Sequence, residues 1–147
     1  MNGRKRPSWQ SYALIIARAA SMRSEDPYRQ VGAAAFREDH STISTGFNGA
    51  PQGIDIDWAN REDRQKYVIH AERNCLNFVE KGECVLLACT TMPCMDCLRE
   101  IAMKKIHRVI FEEVYLKNGV VSMEEEARSL ALHFGISLEQ FPPTQSN

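Results

Sequence analysis

The sequence predicts an α/β protein built on a five-stranded mixed sheet with flanking helices, and three observations predict it. Residues 31–36 and 42–47 are short β-rich segments joined by the turn Asp39-His40-Ser41, the pattern of a hairpin. The run Cys84-Val85-Leu86-Leu87-Ala88-Cys89 is apolar throughout, as expected of a strand buried on both faces. On either side of it helical and strand patterns alternate, so that helices serve as crossovers between parallel strands.

Each element has its own signal. Ser8 is suited to cap a helix over residues 8–22, whose apolar positions Tyr12, Leu14, Ile15, Ile16 and Ala19 recur with helical spacing. Pro27 disfavours helix at Asp26 and closes that segment. The small residues of Val31-Gly32-Ala33-Ala34-Ala35-Phe36 leave room for a neighbour to pack closely. Residues 48–53 (Asn-Gly-Ala-Pro-Gln-Gly) read as a loop, and 54–66 as a long irregular excursion. From Ile69, Ala71, Cys75, Leu76, Phe78 and Val79 recur at threes and fours, with Gly82 as the stop. Pro93 opens a helix over 94–105, since a missing N–H is harmless in the first turn. Residues 107–111 are a strand. Ser122 and Glu125 form a capping box for a helix that ends at Gly135. Residues 136–140 are the last strand. One domain is expected over 1–147, with loose tails at 1–7 and 142–147.

Composition narrows the class. The 147 residues carry 18 Lys+Arg against 19 Asp+Glu, a formal net charge of −1. Proteins that hold polymeric nucleic acid usually show a basic excess, so a small substrate is expected. No apolar run reaches membrane-spanning length, and Met1–Pro7 has charge but no apolar region behind it, unlike a signal peptide. Five cysteines, an odd number without paired spacing, predict a cytoplasmic protein with reduced thiols. The Arg4-Lys5-Arg6 run reads as a solvated tail.

The chemistry is concentrated in two short pieces, His70-Ala71-Glu72 and Pro93-Cys94-Met95-Asp96-Cys97. Cys94 and Cys97 are one turn apart at a helix start, so both thiols face the same way, and the helix N-terminus favours thiolate. His70, Cys94 and Cys97 then make a three-ligand zinc site with an open fourth position, and Glu72 stands ready as general acid/base. The alternatives are a redox Cys-x-x-Cys pair, or a structural zinc completed by Cys75, Cys84 or Cys89 in a non-enzymatic, zinc-stabilised interaction module. Glu72 argues against the last, since a purely structural site needs no such carboxylate.

His-x-Glu followed by Pro-Cys-x-x-Cys resembles the cytidine/deoxycytidylate deaminase superfamily. Arg23-Ser24-Glu25-Asp26-Pro27, Gln30-Val31-Gly32-Ala33 and Thr45-Gly46-Phe47-Asn48-Gly49-Ala50-Pro51-Gln52-Gly53 are similar to its deoxycytidylate (dCMP) deaminase branch. The resemblance runs from about Trp9 to Phe141. It implies the cytidine-deaminase-like three-layer α/β/α fold and hydrolytic deamination of a deoxycytidine nucleotide, dCMP with dCTP as a further substrate, feeding dUMP to thymidylate synthesis. It also implies Zn²⁺ on His70, Cys94 and Cys97, Glu72 as proton shuttle, Asn48 on the sugar, and the Ala71 backbone on the pyrimidine carbonyl. Arg23 and Ser24 would meet the phosphate, in a pocket built partly from 54–66, and Tyr115 would lie near the substrate. The loop bearing Gly46, Asn48, Gly49 and Gly53 borders an effector site in members regulated by dCTP and dTTP, and members are commonly homo-oligomers, often hexamers. Cys75 departs from the family's usual alanine. A tRNA adenosine deaminase or a nucleoside or free-base deaminase is the alternative within the superfamily; the near-neutral charge and the loop at 46–53 weigh against the former.

Overall fold

The structure is a computed structural model and describes residues 3–117, 120–121 and 123–143. In chain order its elements are α1 (Trp9–Ser21), β1 (Gly32–Phe36), β2 (Thr42–Phe47), α2 (Arg61–Tyr67), α3 (Ala71–Leu76), β3 (Leu86–Thr91), α4 (Met95–Met103), β4 (Arg108–Glu113), β5 (Leu116–Lys117), β6 (Val120–Val121), α5 (Glu124–His133) and β7 (Ser137–Gln140).

The five-stranded sheet runs β2-β1-β3-β4-β7. β1 is antiparallel to both β2 and β3, while β3, β4 and β7 are mutually parallel. The hairpin and the helical crossovers therefore produce the mixed sheet that the sequence predicts. Alternation along the strands builds one core on each face. Ala33, Ala35, Leu87, Cys89, Val109 and Phe111 point to the face that carries Leu76 of α3, Leu98 and Ile101 of α4, and Ala127 and Ala131 of α5. Ala34, Phe36, Leu86, Ala88 and Ile110 point to the other face, against Ala13, Leu14 and Ala17 of α1. The result is a three-layer α/β/α sandwich.

Two glycines set how closely the helices lie. A Cβ on Gly32 would fall 1.8 Å from the Ala17 carbonyl oxygen, so α1 rests directly on the β1 backbone. A Cβ on Gly46 would fall 2.4 Å from the Cys75 nitrogen and 2.5 Å from the Ala71 oxygen, so α3 rests on β2 in the same way. Beneath α1, buried Glu112 of β4 is ion-paired with Arg18, and its backbone oxygen accepts from Gln140 at 3.2 Å.

Several boundaries differ from expectation. α1 matches: Ser8 caps it, its Oγ accepting from Ser11 N at 3.1 Å, and it ends at Ser21 with Met22 as C-cap, as expected. There Ser21 Oγ donates to the Arg18 carbonyl at 2.6 Å. The expected excursion at 54–66 contains α2, capped by Asn60 Oδ1 accepting from Asp63 N at 3.2 Å. α3 stops at Leu76, and Phe78, expected on its inner face, is 68% exposed. Gly82 has positive φ (85°) as a stop should, yet its N–H donates to Lys104 O beyond α4. β3 begins two residues later than the apolar run and includes Thr90 and Thr91. Pro93 stands one residue before the N-cap of α4, Cys94, rather than in its first turn. Ser122 lies outside the described residues; the N-cap position of α5 belongs to Met123, in the left-handed conformation, without a side-chain cap.

Candidate active site

The site forms where two helices begin on the same face of the sheet. His70 is the N-cap residue of α3 and Cys94 that of α4, both extended (φ −65°, ψ 152° and φ −77°, ψ 173°). N-cap side chains usually bond back to their own helix. Neither of these does, which leaves imidazole and thiol free to face one another. His70 is held by an isolated antiparallel bridge: Gly49 N donates to Ile69 O at 3.1 Å, and Ile69 N to Gly49 O at 2.9 Å. Asn74 Nδ2 adds bonds to Phe47 O (2.8 Å) and Ile69 O (3.3 Å). The Cys94 side is held by Met92 N donating to Glu113 O at 2.9 Å, just past the end of β3.

His70 Nδ1 lies 3.3 Å from Cys97 Sγ and 3.5 Å from Cys94 Sγ. Zinc bonds of about 2.1 Å to nitrogen and 2.3 Å to sulfur, opened to a tetrahedral angle, separate their donor atoms by roughly 3.6 Å. The donor set and its spacing therefore fit zinc. Among the described residues these three form the one such cluster of metal-ligating groups. Cys75, Cys84 and Cys89 are free and buried outside it, so none of them supplies a fourth ligand.

The electrostatics suit the same role. The hydrogen bond from Cys97 draws the Cys94 thiol down to about 4, with His70 helping. Cys97 is pushed far up by that same bond and by burial, so in the metal-free protein the pair retains one proton. His70 is raised, chiefly by its hydrogen bond to Cys94. Glu72, in the first turn of α3, is only 4% exposed. Burial pushes its carboxyl up, while His70 and a hydrogen bond from Cys97 act in the opposite direction. A carboxyl whose proton is held more tightly by burial, beside the ligands, is suited to taking and returning a proton.

A cavity of about 490 Å³ opens on His70 and is lined by Asp26, Arg61, Arg64, Gln65, Val68 and Tyr115. A smaller hollow of about 240 Å³, between Trp9, Phe36 and Arg108, lies at the other end of the sheet and contains no residue of the cluster. Of the residues expected near a substrate, Tyr115 lines the larger cavity. Ala71 is fully buried as the first residue of α3, where its N–H has no acceptor within the helix. Asn48 is buried, and its side chain is engaged by protein: Oδ1 accepts from Val31 N at 2.8 Å, and Nδ2 donates to Arg29 O at 2.9 Å and Asp26 Oδ2 at 3.3 Å. Ser24 Oγ donates to the Asn48 carbonyl at 2.8 Å. Arg23 is exposed and does not line the cavity. In the loop expected to border an effector, Gly46 lies under α3, Gly49 makes the bridge to Ile69, and Gly53 takes a positive φ of 84°.

The stretch 54–66, expected to build part of the phosphate pocket, does supply Arg61, Arg64 and Gln65 to the cavity, but sequence reasoning singled out none of them, nor Asp26, as a cavity residue. The two arginines are three apart on α2, so they share a side of that helix. Asn60 followed three residues later by Asp63 was the available signal for that helix start.

Residues 7–113 match the family model for the cytidine and deoxycytidylate deaminase zinc-binding region. Deoxycytidylate deaminase of Saccharomyces cerevisiae is 31% identical over 95% of this chain and 47% of its own. A probable deoxycytidylate deaminase of Caenorhabditis elegans is 35% identical over 68% of this chain and 55% of its own. The chain thus spans about half the length of these curated relatives. The fold is shared with the dCMP deaminase of cyanophage S-TIM5, crystallised with dCMP and dUMP, at TM-score 0.75 and 23% identity over 94% of this chain and 100% of that one. With the whole of its metal-ligand cluster inside the matched region, the chain belongs to the cytidine and deoxycytidylate deaminase family.

Proposed function

We propose that the protein is a zinc-dependent deaminase that converts dCMP and water to dUMP and ammonia. One observation carries this reading: the His70–Cys94–Cys97 triangle stands beside buried Glu72, and its His70 lines a cavity that also holds Arg61 and Arg64. The names of the relatives, deoxycytidylate deaminases, support the choice of base and sugar. The two guanidinium groups support a phosphate, which arginine binds in a planar, bidentate way.

His70, Cys94 and Cys97 would hold the zinc, which when bound would supply Lewis acidity and the means to activate water near neutral pH. Glu72 accepts the proton of the water that attacks C4 of cytosine and delivers it to N3. Glu72 then takes the proton of the new C4 hydroxyl and gives it to the amine, so that the C4–N bond breaks, ammonia leaves and the uracil carbonyl forms. The Ala71 N–H donates to the pyrimidine carbonyl and fixes the ring. Arg61 and Arg64 hold the phosphate at the outer end of the cavity. The reduced state of the thiols accords with a cytoplasmic setting.

The test is a rate comparison of the zinc-loaded protein on deoxycytidine, dCMP, dCDP and dCTP, with a tRNA anticodon stem as control. dCMP is expected to react fastest. Equal rates on deoxycytidine would overturn the phosphate reading, and turnover of the tRNA alone would overturn the substrate class. Adding dCTP or dTTP to the dCMP assay tests activation and inhibition, and light scattering tests the expected hexamer.

A further inference from the structure

We infer that Arg29 is a positioning residue that holds Tyr115 as the outer wall of the substrate cavity, so that nucleotide affinity depends on it. This rests on the deaminase reading above for its substrate, though not for its geometry.

Arg29 lies in the connector between α1 and β1, at a point where four parts of the site meet. Its Nη2 donates to Thr91 Oγ1 at 3.0 Å and to Glu113 Oε1 at 3.1 Å, the last residues of β3 and β4. Its carbonyl accepts from Asn48 Nδ2 at 2.9 Å, just past β2. Its backbone N–H donates to Asp26 Oδ1 at 3.3 Å, and Asp26 lines the cavity. The guanidinium carbon sits 4.4 Å from the centre of the Tyr115 ring, within the range of a cation–π contact.

Tyr115 needs such support. It follows the end of β4 and is 45% exposed. Among the described hydrogen bonds, none involves its hydroxyl. The guanidinium is therefore the specific contact that fixes the ring against the cavity. Among the described residues, Arg29 Nε is buried without a hydrogen-bond partner. A buried donor left unpaired is a penalty, and it fits a group whose plane is set by the ring and by the two strand ends rather than by full hydrogen bonding. Lysine cannot replace it, because an ammonium is a point charge without a plane to lie on the ring.

Two readouts test this. The chain has four tyrosines, so 3-fluorotyrosine labelling gives four fluorine signals, and Tyr115→Phe assigns one of them. Arg29→Ala and Arg29→Lys should both shift the Tyr115 signal and leave that of Tyr12 in place; an unmoved Tyr115 signal overturns the clamp. In zinc-loaded protein, Arg29→Ala and Tyr115→Ala should each raise KM for dCMP about tenfold with kcat nearly unchanged, and the double variant should be no worse than either single one. Zinc content should stay the same throughout. A multiplicative rise of about a hundredfold in the double variant, or a loss confined to kcat, overturns the inference. If the wild-type protein fails to turn over dCMP, the functional reading falls, and the fluorine signal still decides the role of Arg29.

Discussion

Cys94 and Cys97 differ from Cys75, Cys84 and Cys89 in what they face, although Cys97 is as buried as those three. The first two stand at the start of α4, 3.3–3.5 Å from an imidazole nitrogen. The other three are packed among apolar side chains on the same face of the sheet. Burial pushes the Cys75 thiol up to about 12 and Cys84 to about 11, whereas hydrogen bonding draws Cys94 down to about 4. Cys75 shows what the core does with sulfur. Its Sγ lies 3.3 Å from Ser44 Oγ, and Ser44 Oγ donates to the Cys75 carbonyl at 2.8 Å, joining α3 to β2. A cysteine's chemistry here follows from whether a helix start and a histidine face it, not from the presence of a thiol.

The sharpest break in this comparison is Cys97→Ala. It should abolish both zinc retention, measured by atomic absorption after gel filtration, and deamination, because two ligands do not hold a catalytic zinc. Cys89→Ala should keep both. Next is thiol reactivity in the folded, metal-stripped protein. At pH 7 a thiol with a pKa near 12 is thiolate in roughly one molecule in 100,000, while one near 4 is almost wholly ionised. Iodoacetamide followed by mass mapping should therefore modify Cys94 and spare Cys75 and Cys84. The sign with pH is also set: an ordinary thiol slows about tenfold for each unit below its pKa. Labelling of Cys94 should instead stay level from pH 8 to pH 6 and fall only as pH approaches 4.

Smaller effects concern the packing that separates the two sets. Gly46→Ala forces a Cβ to within 2.5 Å of two backbone atoms of α3 and should destabilise the fold by about 3 kcal/mol, read from urea unfolding. Cys75→Ala removes one buried sulfur and should lower stability by about 1 kcal/mol, a melting shift of roughly 2–4 °C at this chain length. A Cys75→Ala variant that lost zinc would contradict the division between the two sets.

The two helix starts and their ligands were legible because the chemistry is local: His-x-Glu and Pro-Cys-x-x-Cys each lie within one turn. The sheet was legible because strand burial writes itself into apolar runs. β3 was misplaced by two residues because it was read from an apolar run, which stops short of its last two positions, threonines that suit a strand but are polar. Their hydroxyls are in fact engaged, Thr90 Oγ1 accepting from Gly32 N at 3.0 Å and Thr91 Oγ1 from Arg29 at 3.0 Å. α2 was invisible to hydrophobic periodicity because it buries none of its residues. Arg29 escaped notice because its role depends on Thr91, Glu113 and Tyr115, which are 62 or more residues away in sequence. Contacts of that span leave no pattern in one sequence.

The central claim is that His70, Cys94 and Cys97 hold zinc while Glu72 moves the proton. Glu72→Gln tests it most directly, with zinc content and dCMP turnover measured on the same sample. The variant should retain about one zinc per chain and lose about 100- to 10,000-fold in kcat. Full activity in Glu72→Gln, or loss of zinc along with activity, would contradict the account.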